Sequence, residues 1–76
     1  MDETLHRELI NLSKIAPLSG YIDSSDFRVK ELQEKHNVSR CYMVEVLQYL
    51  EEKYLIRELY VNYDVTDKHI LSYRFK

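Results

Sequence analysis

Along this chain of 76 residues the spacing of apolar positions changes from the period of a helix to that of a strand. Over residues 3–16, Leu5, Leu9, Leu12 and Ala16 recur at intervals of four, three and four, which lines one helical face. Asp2 and Glu3 suit the positive end of that helix and Lys14 its negative end. Pro17 stops it, because the residue before a proline is pushed out of the helical region. Ile10 and Ile15 flank the stripe and broaden it. Ser19-Gly20 reads as a turn and Tyr21-Ile22 as a short extended piece. The cluster Asp23-Ser24-Ser25-Asp26 announces a second helix, with Ser24 or Ser25 as the expected cap. Phe27 is expected to pack its ring between that helix and the first.

The second helix carries Val29 and Leu32 on its inner face and ends at Asn37, a residue that enters the left-handed region easily. Val38 fills the corner, and Ser39 is placed to cap a third, longer helix. The inner stripe of that helix is Met43, Val46, Leu47 and Leu50. Its outer side presents Ser39, Arg40, Tyr42, Glu45 and Tyr49, with Val44 and Gln48 beside them. Two helices joined by so short a turn cross steeply, as in a helix-turn-helix unit.

Beyond Tyr54-Leu55-Ile56 the period becomes two. Leu59, Val61 and Tyr63 alternate with Glu58, Tyr60 and Asn62, and His69, Leu71, Tyr73 and Phe75 alternate with Ile70, Ser72 and Arg74. The polar run Asp64–Lys68, with aspartates at 64 and 67, has the length of a hairpin connection. The expected fold is therefore α+β: three helices followed by a two-stranded β-ribbon, with Tyr21-Ile22 available as a third strand. That is a winged helix, occupying residues 1–76 as a single domain with a small core.

Composition narrows the chemistry. One cysteine builds neither a disulfide framework nor a thiolate zinc site. A single glycine and a single proline leave no glycine-rich phosphate loop and argue against disorder. No long apolar run or leader is seen, so a cytoplasmic protein without a membrane partner is expected. The net charge of −2 is unevenly spread. Residues 1–27 carry five acids and two bases, residues 28–57 six bases and five acids, and residues 58–76 three of each. The helix pair is thus nearly neutral while the acid gathers in the N-terminal third.

Residues 29–56 resemble, without a gap, the helix-turn-helix of the winged-helix superfamily, including repressors of the multiple-antibiotic-resistance type. The matching residues are Val29, Glu31-Leu32, Asn37-Val38-Ser39-Arg40 and Leu50-Glu51-Glu52-Lys53-Tyr54-Leu55-Ile56. Ser39-Arg40-Cys41-Tyr42 with Leu47-Gln48-Tyr49-Leu50 is also similar to the C-terminal winged helices of the selenocysteine elongation factor, which bind an RNA hairpin. The resemblance implies that the start of the long helix meets bases and phosphates, which falls here on Ser39, Arg40 and Tyr42. Three positions depart from the pattern: Tyr54 replaces a glycine, His36 a buried leucine, and Glu45 a common cation.

The expected function is nucleic-acid binding, as a DNA-binding regulator or as an accessory factor in replication or recombination. Its contact residues would be Ser39, Arg40, Tyr42 and Tyr49 on the long helix, with Lys68 and Arg74 of the ribbon on the backbone. Arg40 offers a two-point contact, Ser39 a hydroxyl donor, and the two tyrosines flat faces for unpaired bases. DNA is the expected partner, single- or double-stranded. A plainer reading has Arg40 paired with Glu45 or a neighbouring acid and the tyrosines finishing the rim of the core. The alternative function is a protein-interaction winged helix that docks through its tyrosine-rich surface, seven tyrosines being many for this length. Ile10 and Ile15 are the hint of a homodimer edge. Cys41 is expected to be a small buried or half-buried residue. His6, His36 and His69 share no metal-ligand spacing. No nucleophile has a base at a recognisable spacing, so no enzyme, cofactor or metal is expected.

Overall fold

Helical spacing at the N-terminus and strand spacing at the C-terminus are both realised in the computed structural model, which describes residues 3–66 and 68–76. Among these, three helices and a three-stranded antiparallel sheet follow the order α1 (Glu3–Lys14), β1 (Ile22–Asp23), α2 (Phe27–His36), α3 (Arg40–Glu52), β2 (Leu59–Tyr63) and β3 (Ile70–Phe75). Asp2 and Asp67, to which helix-end and hairpin roles were assigned above, lie outside the described residues. The strand order is β1-β3-β2, so the last strand lies in the middle.

α1 buries Leu5 and Leu9, with Leu12 and Ala16 half-buried at its end. It stops at Lys14, two residues short of the expected 16. There the bonds shorten to three-residue turns, Ile15 N–H to Leu12 O and Ala16 N–H to Ser13 O. The extended piece that becomes β1 is Ile22–Asp23, one residue later than expected. Asp23 and Ser25 then form a turn in which the Ser25 amide and hydroxyl both donate to Asp23 Oδ1. Ser24 is drawn to the sheet, its hydroxyl accepting from Tyr73 N–H. With both serines so engaged, the N-cap of α2 is Asp26, whose Oδ1 accepts from Arg28 N–H at 2.9 Å. The ring of Phe27 points out, 76% exposed, instead of packing between α1 and α2. It sits at the first helical position, opposite to Val29 and Leu32, which hold the inner face.

α3 buries the expected Met43, Val46, Leu47 and Leu50, and adds Val44, which the sequence placed on the outer side. Because α3 is covered by α1 on one flank and by the sheet on another, its buried arc is wider than a four-residue stripe. The core is completed by Ile22, Ile56, Tyr73 and Phe75. Burial pushes the Tyr73 phenol up to about 12.

The register of the sheet is Ile22 to Phe75 to Leu59 on the core side and Asp23 to Arg74 to Tyr60 on the other. Farther along, Asn62 faces Ser72 but Tyr63 faces Ile70, so Leu71 is an extra residue in β3. The alternation expected from His69 to Phe75 therefore breaks at Leu71. Tyr73 and Phe75 stay inside, Ile70 packs on the core, and Leu71 is half exposed.

Candidate nucleic-acid interface

The two helices of the central unit are joined by three residues with separate tasks. Asn37 takes φ 51° and ψ 51°, and the amides of Asn37 and Val38 donate to Glu34 O and Gln33 O. Val38 is half-buried against the core. Ser39 is extended, and its Oγ accepts from Tyr42 N–H at 3.1 Å, capping α3. These bonds fix where α3 begins and hence where Arg40 stands.

Arg40 does not pair with Glu45. Its Nη1 donates to Ile70 O at 2.8 Å and to Leu71 O at 3.2 Å. Successive carbonyls of a regular strand point to opposite sides, so one nitrogen cannot ordinarily reach both. The extra residue at Leu71 supplies that geometry by bending the strand. Arg40 thereby stitches the start of α3 to the hairpin. Its Nε and Nη2 hydrogens have no hydrogen-bond partner among the described residues.

Opposite Arg40 stands the hairpin tip, organised by Asp64. The Asp64 amide donates to His69 O, its carbonyl accepts from Lys68 N–H, and its Oδ1 accepts from Thr66 N–H at 2.7 Å. Lys68 has φ 58° and is exposed. Between tip and helix lies an open cleft of about 530 Å³ lined by Ser39, Arg40, Tyr63, Lys68, His69 and Ile70, with Gln33 and Cys41 at its edge. Among the described residues no carboxylate lines it. Cys41 is exposed here, not buried as expected, because the buried arc of α3 starts only at Met43.

Of the six residues singled out in the sequence, Ser39, Arg40 and Lys68 meet at this cleft and three do not. Tyr42 is half-buried against the core. Tyr49 lies on the flank of α3 toward α1, its ring 5.6 Å from that of His6 and 5.7 Å from Lys53 Nζ. Arg74 is on the outer face of the sheet, its Cζ 4.9 Å from the centre of the Tyr21 ring and 5.2 Å from that of Tyr60. Beside it the Tyr21 hydroxyl donates to Glu58 Oε2 at 2.6 Å, a bond that holds the Tyr21 phenol up to about 12. Lys76 completes this cluster, its Nζ 4.7 Å from the Tyr21 ring centre. The exposed ridge of α3 is Cys41, Glu45, Gln48 and Glu52, spaced four, three and four apart. It carries two acids and no base.

The cleft also brings in Tyr63 and His69, which the sequence reading did not select. The signal was the adjacent apolar pair Ile70-Leu71 inside an otherwise alternating strand, the mark of an inserted residue. His36 is largely covered and its Nε2 lies 3.3 Å from Glu8 Oε1. No helix among the described residues is long and apolar enough to cross a membrane. Searches against protein-family models, curated proteins and solved structures find no match for this chain.

Proposed function

We propose that this chain is a winged-helix nucleic-acid-binding protein, with the β2–β3 hairpin as its wing, acting as a DNA-binding regulator or as an accessory factor in replication or recombination. The observation that carries this reading is the cleft where Ser39 and Arg40 meet Lys68, with no carboxylate among its described lining residues. Amides at the start of α3 add partial positive charge there. Ser39 can accept from Tyr42 N–H and still donate its hydroxyl proton to a phosphate. Arg40, anchored through Nη1, presents its remaining N–H groups with little side-chain entropy left to lose. Contact is made end-on, by the first turn of α3 and the wing. Glu45 and Glu52 on the exposed ridge oppose the laying of α3 lengthwise against a phosphate backbone.

The test is fluorescence anisotropy with labelled single- and double-stranded DNA over a series of salt concentrations. Binding is expected to weaken with salt, and Lys68→Ala should reduce the slope of log affinity against log salt by about one. Failure of the wild-type chain to bind either probe at high micromolar protein would end this reading. A second reading, a winged helix that docks on a protein without touching nucleic acid, is favoured by the acidic ridge of α3. Under it the chain co-purifies with a stoichiometric protein and no nucleic acid.

A further inference from the structure

The far end of α3 carries an unusual residue. The amide of Tyr54 donates to Glu51 O and that of Leu55 to Leu50 O at 2.8 Å, the paired bonds with which helices close on a left-handed residue. Glycine is the usual occupant of that position, because any side chain there meets the backbone. Here it is a tyrosine at φ 61°, and its ring is 93% exposed. The ring adds nothing to the core, while its backbone strain costs stability that glycine or asparagine would avoid. Strain retained without a structural return is the mark of a side chain used for binding.

Its surroundings say for what. Tyr54, Leu55 and Leu18, the last 91% exposed, line a cleft of about 380 Å³ between the end of α1 and the turn after α3. Lys14 and Arg57 stand in the same lining, and neither has an ion-pair partner among the described residues. Among the described residues no acid lines the cleft. The nearby Glu51 turns its carboxylate to Leu59 N–H at 2.8 Å. An exposed aromatic anchor beside two leucines, rimmed by cations, matches a peptide segment with apolar side chains and acidic flanks.

We infer that the Tyr54 end of α3 is a docking site for an acidic, apolar segment of a partner protein. It lies about 20 Å from the cleft at Ser39, the length of a thirteen-residue helix. Nucleic acid and partner protein would thus occupy opposite ends of α3, without competing.

The test uses fluorescent twelve-residue peptides in three sets that share leucine and phenylalanine positions but carry acidic, neutral or basic flanks. The acidic set is expected to bind the wild-type chain, and Tyr54→Gly to weaken that binding by roughly tenfold or more. The same substitution should raise Tm by roughly 5 °C through relief of strain. Tyr54→Asn, also at ease in the left-handed region, should behave alike. DNA affinity through the distant cleft should stay unchanged. Arg57→Glu should shift preference away from the acidic set. The inference is overturned if no set binds, if binding ignores flank charge, or if Tyr54→Gly binds as well as wild type. It is equally overturned if Tyr54→Gly dissolves a wild-type dimer, which would make a second copy the occupant, or if it abolishes oligonucleotide binding, which would make the ring a base-stacking platform.

Discussion

After α2 the backbone enters the left-handed region at Asn37, φ 51°, and after α3 it does so at Tyr54, φ 61°. The hydrogen bonds are the same in kind: Asn37 and Val38 donate to Glu34 O and Gln33 O, and Tyr54 and Leu55 to Glu51 O and Leu50 O. The side chains are opposite in kind. Asn37 is short and polar and adopts this conformation at little cost. The residue after it, Val38, turns inward and fills the corner between α2 and α3. Tyr54 is bulky and strained, and Leu55 after it is half exposed. One motif serves the fold and the other serves a surface. The lesson is that equal backbone geometry does not imply equal purpose; the side chain's destination decides.

If the Tyr54 turn is strained, something must hold it, and Ile56 is the candidate. It is almost fully buried, two residues beyond the tyrosine, and its amide also reaches Leu50 O at 3.4 Å. Ile56→Ala is expected to cost about 3 kcal/mol, within the range for emptying a buried isoleucine site. Val38→Ala, at the half-buried position after Asn37, should cost about 1 kcal/mol. Urea denaturation measures both. Equal losses would mean that the two turns are held alike, and the contrast would fail.

Exchange of the two left-handed residues sharpens the comparison at a smaller scale. Asn37→Tyr should destabilise by about 1 to 2 kcal/mol, the usual cost of a side-chain-bearing residue in this region. Tyr54→Asn should stabilise by about 1 kcal/mol. The sites stand at opposite ends of α3, so the double exchange should give the sum of the two changes. A Tyr54→Asn chain that melts below wild type would show that the ring stabilises the fold after all.

How much of this could be read in advance follows from the same pair. Asn37 is legible because its type, its place after a helical run and the following Val-Ser agree on one geometry. Ser39 as cap and Met43, Val46, Leu47 and Leu50 as core are legible for the same reason: local preference and burial coincide. Tyr54 was visible as a departure from the expected glycine, yet nothing in the sequence says that the chain keeps the glycine's conformation. Arg40 misled more deeply. Its partners are two carbonyls thirty residues away, made reachable by the inserted Leu71, and no local rule connects those positions. Phe27 and Val44 fell on the wrong side because a wide helix face leaves the boundary between inside and outside to tertiary packing. The Ser24 and Ser25 assignment failed to Asp26 because Ser25 is engaged with Asp23 in the turn after β1 and Ser24 with Tyr73 of the sheet.

The starts of the same two helices offer the smallest contrast. α2 is capped by the Asp26 carboxylate and α3 by the Ser39 hydroxyl. Removal of either side-chain cap costs about 1 kcal/mol in general. Only the aspartate titrates. Hydrogen bonds from the Arg28 side chain, at 3.0 and 2.8 Å, and from its amide hold the Asp26 carboxyl down at about 2, against an ordinary value near 4. A carboxyl whose folded pKa is depressed stabilises fully above its unfolded value and loses that contribution as pH falls through its folded value. The Asp26 contribution should therefore be intact above about pH 4 and fade between about 4 and 2. Both partners are solvated, so it is small. Asp26→Asn keeps a capping oxygen and should flatten the acid limb of the urea midpoint between pH 2 and 5. Ser39→Ala should lower the whole profile without changing its shape. If Asp26→Asn leaves the acid limb as steep as wild type, another carboxylate governs it. The leading alternative is then Glu8: desolvation pushes its carboxyl up, but the hydrogen bond donated by Lys35, the contact with His36 and their charges together bring it below its ordinary value.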